Sequence, residues 1–427
     1  MLNLLDATCT SCEDDFYVTL PSDHALLAPV SINTQTKEVF NPSAAAWLGD
    51  LLALSLSQKS AEYIPIQFTR SRRFDRIVLV NCLDYLYGHC LLKLLNVQYY
   101  LEHEGGLACC VLIPKQLTHL VPAGVAEIWA VDLPLKRFRT WFTSLQEQIA
   151  NEISAREVCF LGIAHSHPHF SRYDLSQFVK QHESNALSRD TTRVVFAYRE
   201  DRLWGSSLRR QHRNINQLFD ELRLGFPRLE FSVVGLGSTG VFNQGVHDCR
   251  AVIVSLESEQ RWLATFANAD CVVGVHGSNM LLPSGLARHV VELVPEDRLG
   301  NLTQDLLWPS ESACGNEALY RVRFLYGDSD LRDLHPYRVA TIIINQIGFA
   351  EGFRIFNTAS QMFNTDGQDR EHAVACLSTA SASATSAYVH LLERYRARRL
   401  AKPLSRMRTH ADRLLGSASR AVHKLQR

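Results

Sequence analysis

Apolar, β-rich runs alternate with helix-like segments through the first 300 residues. Strands are predicted over Arg76–Val80, Leu107–Ile113, Glu127–Val131, Val158–Ala164, Arg193–Tyr198, Glu230–Val234, Ala251–Ser255, Cys271–Val275 and Val290–Val294. Between them, Gly88–His103, Phe138–Glu152, Ile215–Leu224 and Glu257–Ala269 carry the amphipathic spacing of helices. Such alternation predicts an α/β protein with parallel sheets wrapped by helices. Two units fit the length, with a boundary in the polar stretch Phe178–Thr192, giving domains at 1–185 and 186–333. Helical patterning returns over 334–390 and ends in the Ser/Ala-rich run Ser378–Ala387, which reads as a linker.

Composition changes this picture at one end only. The 427 residues hold 44 Lys+Arg and 44 Asp+Glu, so the net charge is zero, yet Leu391–Arg427 alone carries 11 basic residues against Glu393 and Asp412. The neutral total therefore joins an acidic body to a basic tail. Leu400, Leu404, Met407, Ala411, Leu414, Ala418, Ala421 and Leu425 recur in alternating four- and three-residue steps, forming an apolar seam on a predicted helix. Its small residues make a weak apolar face, so an anionic membrane surface would attract it mainly through charge; pairing with a partner helix fits the same spacing. No aromatic platform or recognised binding fold accompanies the charge, which argues against nucleic acid. No run of 18 apolar residues offers a membrane span. The first sixteen residues lack a basic region and a long apolar core, so no secretory signal is expected there. Eleven cysteines, several inside predicted strands or helices (Cys82, Cys90, Cys159, Cys271), fit reduced thiols and a cytoplasmic location better than a disulfide framework. Cys9 and Cys12 form a CxxC with no second pair at zinc-finger spacing.

The chemistry concentrates between Leu256 and Pro295, which reads as helix, strand, glycine turn, short helix, strand. Gly274 and Gly277 flank His276 just beyond a strand, where a backbone without side chains lets a ligand approach closely. The helix start near Ser278 and Asn279 would offer N–H groups to a phosphate. Glu292, near the end of the next strand, could accept hydrogen bonds from ribose hydroxyls. Open α/β sheets bind ligands at such strand ends.

The run VVGVHGSNM followed by a proline–glycine turn and VVELVP resembles the donor-binding half of family 61-type glycosyltransferases. That family includes plant xylosyl- and arabinosyltransferases, the extracellular O-GlcNAc transferase and bacterial polysaccharide-biosynthesis relatives. The family pattern is a strand, then G-x-H-G-[AS]-x-[LM], then a P-G turn and a V-V-E-[LI] strand. VFAYREDRLWGSSLRRQHRNINQLFDEL resembles the family's strand–Arg segment before a helix, and DYLYGHCLLKLLN its aromatic–x–His–x–x–x–acid motif. Lys93 stands where the family has the acid, so no catalytic carboxylate is carried over there. The likeness covers Arg76–Asn96 and Arg193–Pro295.

This resemblance implies a GT-B architecture, in which two Rossmann-like domains face each other across a cleft, with no resident cofactor and no metal. Positive side chains and helix dipoles would stabilise the departing diphosphate of a nucleotide-sugar co-substrate. Arg199 directly follows a strand and is the leading phosphate ligand, with Arg202 and Arg213 as further candidates. His89 is the candidate general base for a saccharide, lipid-linked or protein hydroxyl acceptor. The family inverts the anomeric centre. Gly235-Leu-Gly237-Ser238-Thr-Gly240 matches the dinucleotide fingerprint GxGxxG, but too short a stretch separates it from the next predicted strand for a βαβ crossover. Gly237 and Ser238 are then expected near the donor's phosphate or sugar. His165-Ser-His167-Pro-His169 resembles a metal-binding HxH without an identifiable partner set, so His165 and His167 are expected on the acceptor side. Two other readings remain: an NAD(P)-dependent oxidoreductase built on GLGSTG, and a silent sugar-nucleotide-fold scaffold in polysaccharide assembly. The expected enzyme is a cytoplasmic hexosyl- or pentosyltransferase, placed at the inner membrane face by its tail.

Overall fold

The computed structural model describes residues 2–26, 29–40, 46–103, 105–166, 172–179, 191–302, 306–309 and 321–348. The basic tail, the Ser/Ala linker and His167 lie outside these residues. The chain divides into two compact units. The first takes the sequence up to His182 together with Val254–Arg261 and Thr303–Ala313, and the second takes the rest.

The first unit opens with an antiparallel meander of β1 (Leu4–Thr8), β2 (Asp15–Thr19), β3 (Ser31–Asn33) and β4 (Val39–Phe40). Helix α1 (Ala46–Ser57) packs Leu48, Leu52 and Leu56 against Val30 and Ile32 of this sheet. The chain continues through β5 (Ile66–Arg70), β6 (Arg76–Asn81), α2 (Tyr87–Leu95), α3 (Val97–Glu102), β7 (Ala108–Pro114), β8 (Glu127–Val131), α4 (Thr143–Ser154), β9 (Val158–Leu161) and β10 (Arg172–Tyr173). Its main sheet has the order β5-β8-β7-β6-β9, parallel except for β5 against β8. From β6 the chain steps outward to β7 and β8, then returns to place β9 on the other side of β6. Strand order therefore reverses between β6 and β9.

The second unit holds β11 (Thr192–Tyr198), α5 (Leu208–Gly225), β12 (Leu229–Leu236), β13 (Val246–Ala251), the part of α6 (Leu256–Ala267) that begins at Trp262, β14 (Cys271–Val275), α7 (Leu281–Leu286) and β15 (Val290–Pro295); the first half of α6 belongs to the first unit. After β16 (Trp308–Pro309), which pairs with β10 in the first unit, come β17 (Val322–Gly327) and α8 (336–348). The order is β13-β12-β11-β14-β15-β17 and every pairing is parallel. The central strands β14 and β15 are buried along their whole length, which is why they read as continuous apolar runs. Helix α5 is started by Ser207, whose side chain accepts from the Arg210 N–H, and lays Ile215, Leu218, Phe219 and Leu222 on the sheet. Val339, Ala340, Ile343 and Ile344 of α8 complete this core. Here too the order reverses, between β11 and β14.

Both sheets thus show the doubly wound α/β arrangement expected, with three local departures. The strand expected at Ala251–Ser255 is instead β13, in the polar stretch Val246–Ala251, while Val252 and Ile253 stand exposed in the loop beyond it. An edge strand needs backbone pairing more than a buried apolar face, and β12 supplies that pairing. The helix expected over Gly88–His103 is two, with Asn96 at the junction donating from its side chain to the Leu92 and Lys93 carbonyls. The strand expected to reach Ala164 stops at Leu161. No helix among the described residues is long and apolar enough to cross a membrane.

Candidate active site

In the second unit the reversal point brings together the loop after β11 and the turn after β14, where a doubly wound sheet leaves a crevice for ligands. Arg199 donates from Nη1 to Asn279 Oδ1 at 3.1 Å and pairs with Asp201 through Nε and Nη2 at 2.5 and 2.6 Å. Arg202 donates from Nη1 to the His276 carbonyl at 2.9 Å. Both guanidinium groups converge on Gly277, where a Cβ would fall 2.5 Å from Arg199 Nη1 and 2.6 Å from Arg202 Nη1. Gly277 also has φ +149°, a conformation that side chains oppose. The loop is anchored below: Gln211 bridges the Arg199 carbonyl and the Trp204 N–H, and the buried Trp204 indole donates to Leu334. Arg202 also lines a cavity of about 280 Å³ with Ser206, Pro295, Asp297, Arg298 and Asp330.

The other expected donor ligands are placed differently. His276 and Glu292 are 1% and 0% exposed, and His276 Nδ1 lies 2.6 Å from Glu292 Oε2. The carboxylate expected to meet a ribose is thus turned inward onto the histidine that precedes Gly277, and this fixes the turn. Ser278 and Asn279 begin a single 3-10 turn, Ser278–Met280, before the six-residue α7, so the turn carries little helix dipole. Arg213 is exposed on the outer face of α5, in a separate depression with Arg209, Asn216 and Asp220. It is not brought to Gly277.

The GLGSTG loop is occupied by its own protein. The N–H groups of Ser238 and Thr239 both donate to Glu200 Oε1, at 3.1 and 3.0 Å, and hold that carboxyl below its usual range. A Cβ at Gly237 would strike Glu200 and Tyr198, so the glycine accommodates an internal carboxylate where a phosphate was expected. Arg250 closes the loop from behind, donating to the Thr239 and Gly240 carbonyls over the Tyr198 ring. Only five residues separate Gly240 from β13, so no crossover helix follows and the dinucleotide reading loses its βαβ unit.

In the first unit the reversal point collects buried charge. Asp84, in the loop after β6, is fully buried, as is Lys93 of α2. Lys93 Nζ donates to Asp84 Oδ2 at 3.1 Å and to the Leu83 carbonyl at 3.0 Å, with Asp23 Oδ2 at 3.8 Å. Burial alone would raise the Asp84 carboxyl, but Lys93 and His89 hold it well below the usual range. Burial likewise opposes the Lys93 charge, and Asp84 and Asp23 more than restore it. His89, 17% exposed, sets Nδ1 3.4 Å from Asp84 Oδ1. His24, from the 3-10 turn His24–Leu26, lies 4.9 Å from the His89 ring, with Nε2 3.9 Å from Asp84 Oδ2 and Nδ1 3.0 Å from Ser166 Oγ. His24, Asp84 and His89 have the mutual spacing of metal ligands. Lys93 already supplies a cation to that carboxylate at 3.1 Å, so a divalent ion bound there would be opposed by a neighbouring like charge.

His165 gives its backbone carbonyl to Asn96 and lines a surface depression with Gln98, Tyr99, Tyr100 and Tyr173. A further buried cluster joins Tyr87, which donates to Glu259 Oε1 at 2.6 Å, and His119, whose Nε2 is 3.3 Å from Glu259 Oε2. Burial pushes the Glu259 carboxyl up to about 7 and the His119 imidazole down. Sequence reasoning singled out neither this cluster nor Asp23, His24 and Asp84. Only Asp84 carried a signal, as an acid just past the end of an apolar strand and five residues before His89.

No family profile and no curated protein sequence matches the chain. Among solved structures it is similar to the E. coli heptosyltransferase WaaC with ADP, at 12% identity over 63% of this chain and 99% of that one, with a TM-score of 0.42. It is also similar to E. coli ADP-heptose LPS heptosyltransferase II, at 11% identity over 64% and 98%, TM-score 0.39. A third is the glycosyl transferase family 9 protein from Veillonella parvula, at 7% identity over 64% and 97%, TM-score 0.41. These neighbours are glycosyltransferases, two of them heptosyltransferases, and they do not confirm the family 61 resemblance of the sequence motifs. A likeness this distant assigns no residue of this chain a role.

Proposed function

We propose that the chain is a glycosyltransferase that moves a sugar from a nucleotide-sugar to a hydroxyl acceptor, without a metal ion. The observation that carries this reading is the convergence of Arg199 and Arg202 on Gly277 at the strand-order reversal of the second unit. A diphosphate needs a permanently charged, planar donor set beside backbone it can approach closely, and this place supplies both. Asp201 is mostly exposed, so its ion pair with Arg199 is worth at most about 1 kcal/mol and yields readily to a phosphate. As the glycosidic bond to the diphosphate breaks, Arg199 and Arg202 stabilise the charge that develops on the leaving oxygen.

The acceptor half belongs to the first unit. His89 takes the proton of the attacking hydroxyl, and attack on the anomeric carbon by single displacement inverts it. His165, on the neighbouring surface, is an acceptor-side residue in this reading. The acceptor is a saccharide, a lipid-linked sugar or a protein hydroxyl. Nothing in the site favours the oxidoreductase reading, since the glycine loop it depends on is filled by Glu200. Thermal denaturation of the full chain with UDP, GDP, ADP, CMP and NAD tests the proposal, because a ligand of the native state raises apparent stability. A nucleoside diphosphate should raise the midpoint of the wild type and not of Arg199→Ala. Stabilisation by NAD alone would contradict it.

A further inference from the structure

The motif that His89 belongs to has Lys93 where the resemblance expects an acid, yet the structure does not leave that lysine without a carboxylate. Lys93 reaches back from α2 to Asp84, which lies on the opposite side of His89 in sequence and beside it in space. Every oxygen of Asp84 is spoken for. Oδ1 accepts from the Leu86 N–H at 3.1 Å and faces His89 Nδ1 at 3.4 Å; Oδ2 accepts from Lys93 and lies 3.9 Å from His24 Nε2. The groups with charge or titratable protons around it are Asp23 and His24 from the 3-10 turn, Cys82 from the loop, and His89, Cys90 and Lys93 from α2.

We propose that Asp84, with the buried Lys93 as its counter-charge, is the positioning residue that fixes His89 as the Nδ1–H tautomer. At 3.4 Å the contact lies outside hydrogen-bond geometry, but an ionised carboxylate repels a ring lone pair and attracts a ring N–H, so the nitrogen facing it carries the proton. A neutral imidazole then presents Nε2 as its lone-pair acceptor, which is the form a general base requires. His24 is set otherwise: its Nδ1 is engaged by Ser166, and 3.9 Å is too long for a hydrogen bond to Asp84. Lys93 thus replaces the expected acid without removing the function, because it keeps ionised a carboxylate supplied from elsewhere. The role given to the tautomer rests on the glycosyl-transfer reading; the tautomer itself does not.

The test is a two-bond proton–nitrogen correlation spectrum of the full chain labelled with ¹⁵N-histidine, with the His89 signals identified by their loss in His89→Gln. The wild type should show His89 protonated at Nδ1, and Asp84→Asn should show a mixture or the Nε2–H form. Asp84→Asn/Lys93→Met removes both charges, so it guards against misfolding of the single variant; it should keep the melting midpoint within a few degrees and still lose the tautomer. A wild-type His89 protonated at Nε2, or an unchanged tautomer in the double variant, overturns the inference. If transfer is assayed, Asp84→Asn should lower kcat by roughly 10²–10⁴-fold with the donor KM unchanged. The two readings fail separately, because no turnover enters the spectrum. An Nδ1–H His89 whose replacement by Gln left transfer unchanged would sink its role as base and leave the tautomer assignment standing.

Discussion

The two strand-order reversals occupy the same place in two sheets of the same kind and carry opposite electrostatics. Between β6 and β9 the charges are buried and answered internally: Asp84 and Lys93 are both fully covered, and each has partners within hydrogen-bond reach. Between β11 and β14 the guanidinium groups are only partly covered, and their partners include a surface carboxylate, an amide oxygen and a carbonyl. On the proposed function, the first arrangement orients an imidazole and the second holds charge for an anion arriving from outside. Architecture alone therefore does not say what a crevice binds, and the burial and satisfaction of its charged groups does.

That contrast has consequences of graded size. Removing one partner of the buried pair, as in Lys93→Met, should cost about 3–5 kcal/mol in chemical denaturation, because the Asp84 charge is left uncompensated. Arg202→Met, at a half-buried guanidinium that donates to a backbone carbonyl, should cost about 1 kcal/mol or less. Similar losses from both would mean that the two places are not different in kind. Gly277→Ala should cost roughly 1–3 kcal/mol in stability from backbone strain and weaken nucleoside diphosphate binding, since the added methyl displaces both arginines. Equilibrium unfolding and calorimetric titration of the same variant would show whether the two losses come together.

A third, intermediate effect comes from Glu259. Its folded-state value of about 7 exceeds the ordinary 4.5, so the folded protein binds the extra proton and loses stability as pH rises between them. Glu259→Gln should remove that dependence and stabilise the protein by about 2 kcal/mol at pH 8, relative to pH 5, in denaturant melts. His119 acts with the opposite sign: its depressed value makes stability fall as pH drops below its ordinary 6.5. The smallest effect is expected at Arg213, where Ala should change stability by no more than about 0.5 kcal/mol and leave nucleotide affinity alone. A large loss of affinity there would move the donor site to α5.

Much of the second unit was legible because β14 and β15, and β11 from Val194 onward, are buried and so read as mainly apolar runs. Arg199, Arg202, Gly277 and Asn279 could be singled out as candidates because each stands within a few residues of the C-terminal end of such a run. β1, β2 and β5 were not legible, because their faces are mixed and partly exposed; β13 was misplaced because its edge position tolerates His247, Asp248 and Arg250. The His24 and Asp23 contribution could not be read at all. Sixty residues separate them from Asp84, and only long-range contacts such as the Ala164 N–H to the Ser22 carbonyl set the 3-10 turn beside it. The roles of Glu292 and the GLGSTG loop were misjudged for one shared reason. Sequence shows which polar groups stand at strand ends, but whether another side chain of the same protein already meets them is settled by packing.

On the proposed function, the anion-binding half lies at Gly277 and the imidazole half at Asp84. Calorimetric titration of the stabilising nucleoside diphosphate into the wild type, Arg199→Ala/Arg202→Ala and Asp84→Asn tests it most directly. Loss of two charged donors at about 1.5–3 kcal/mol each should weaken binding by at least about 100-fold in the arginine variant. Asp84→Asn should bind as the wild type does. Unchanged affinity in the arginine variant, or an equal loss in Asp84→Asn, would contradict the account.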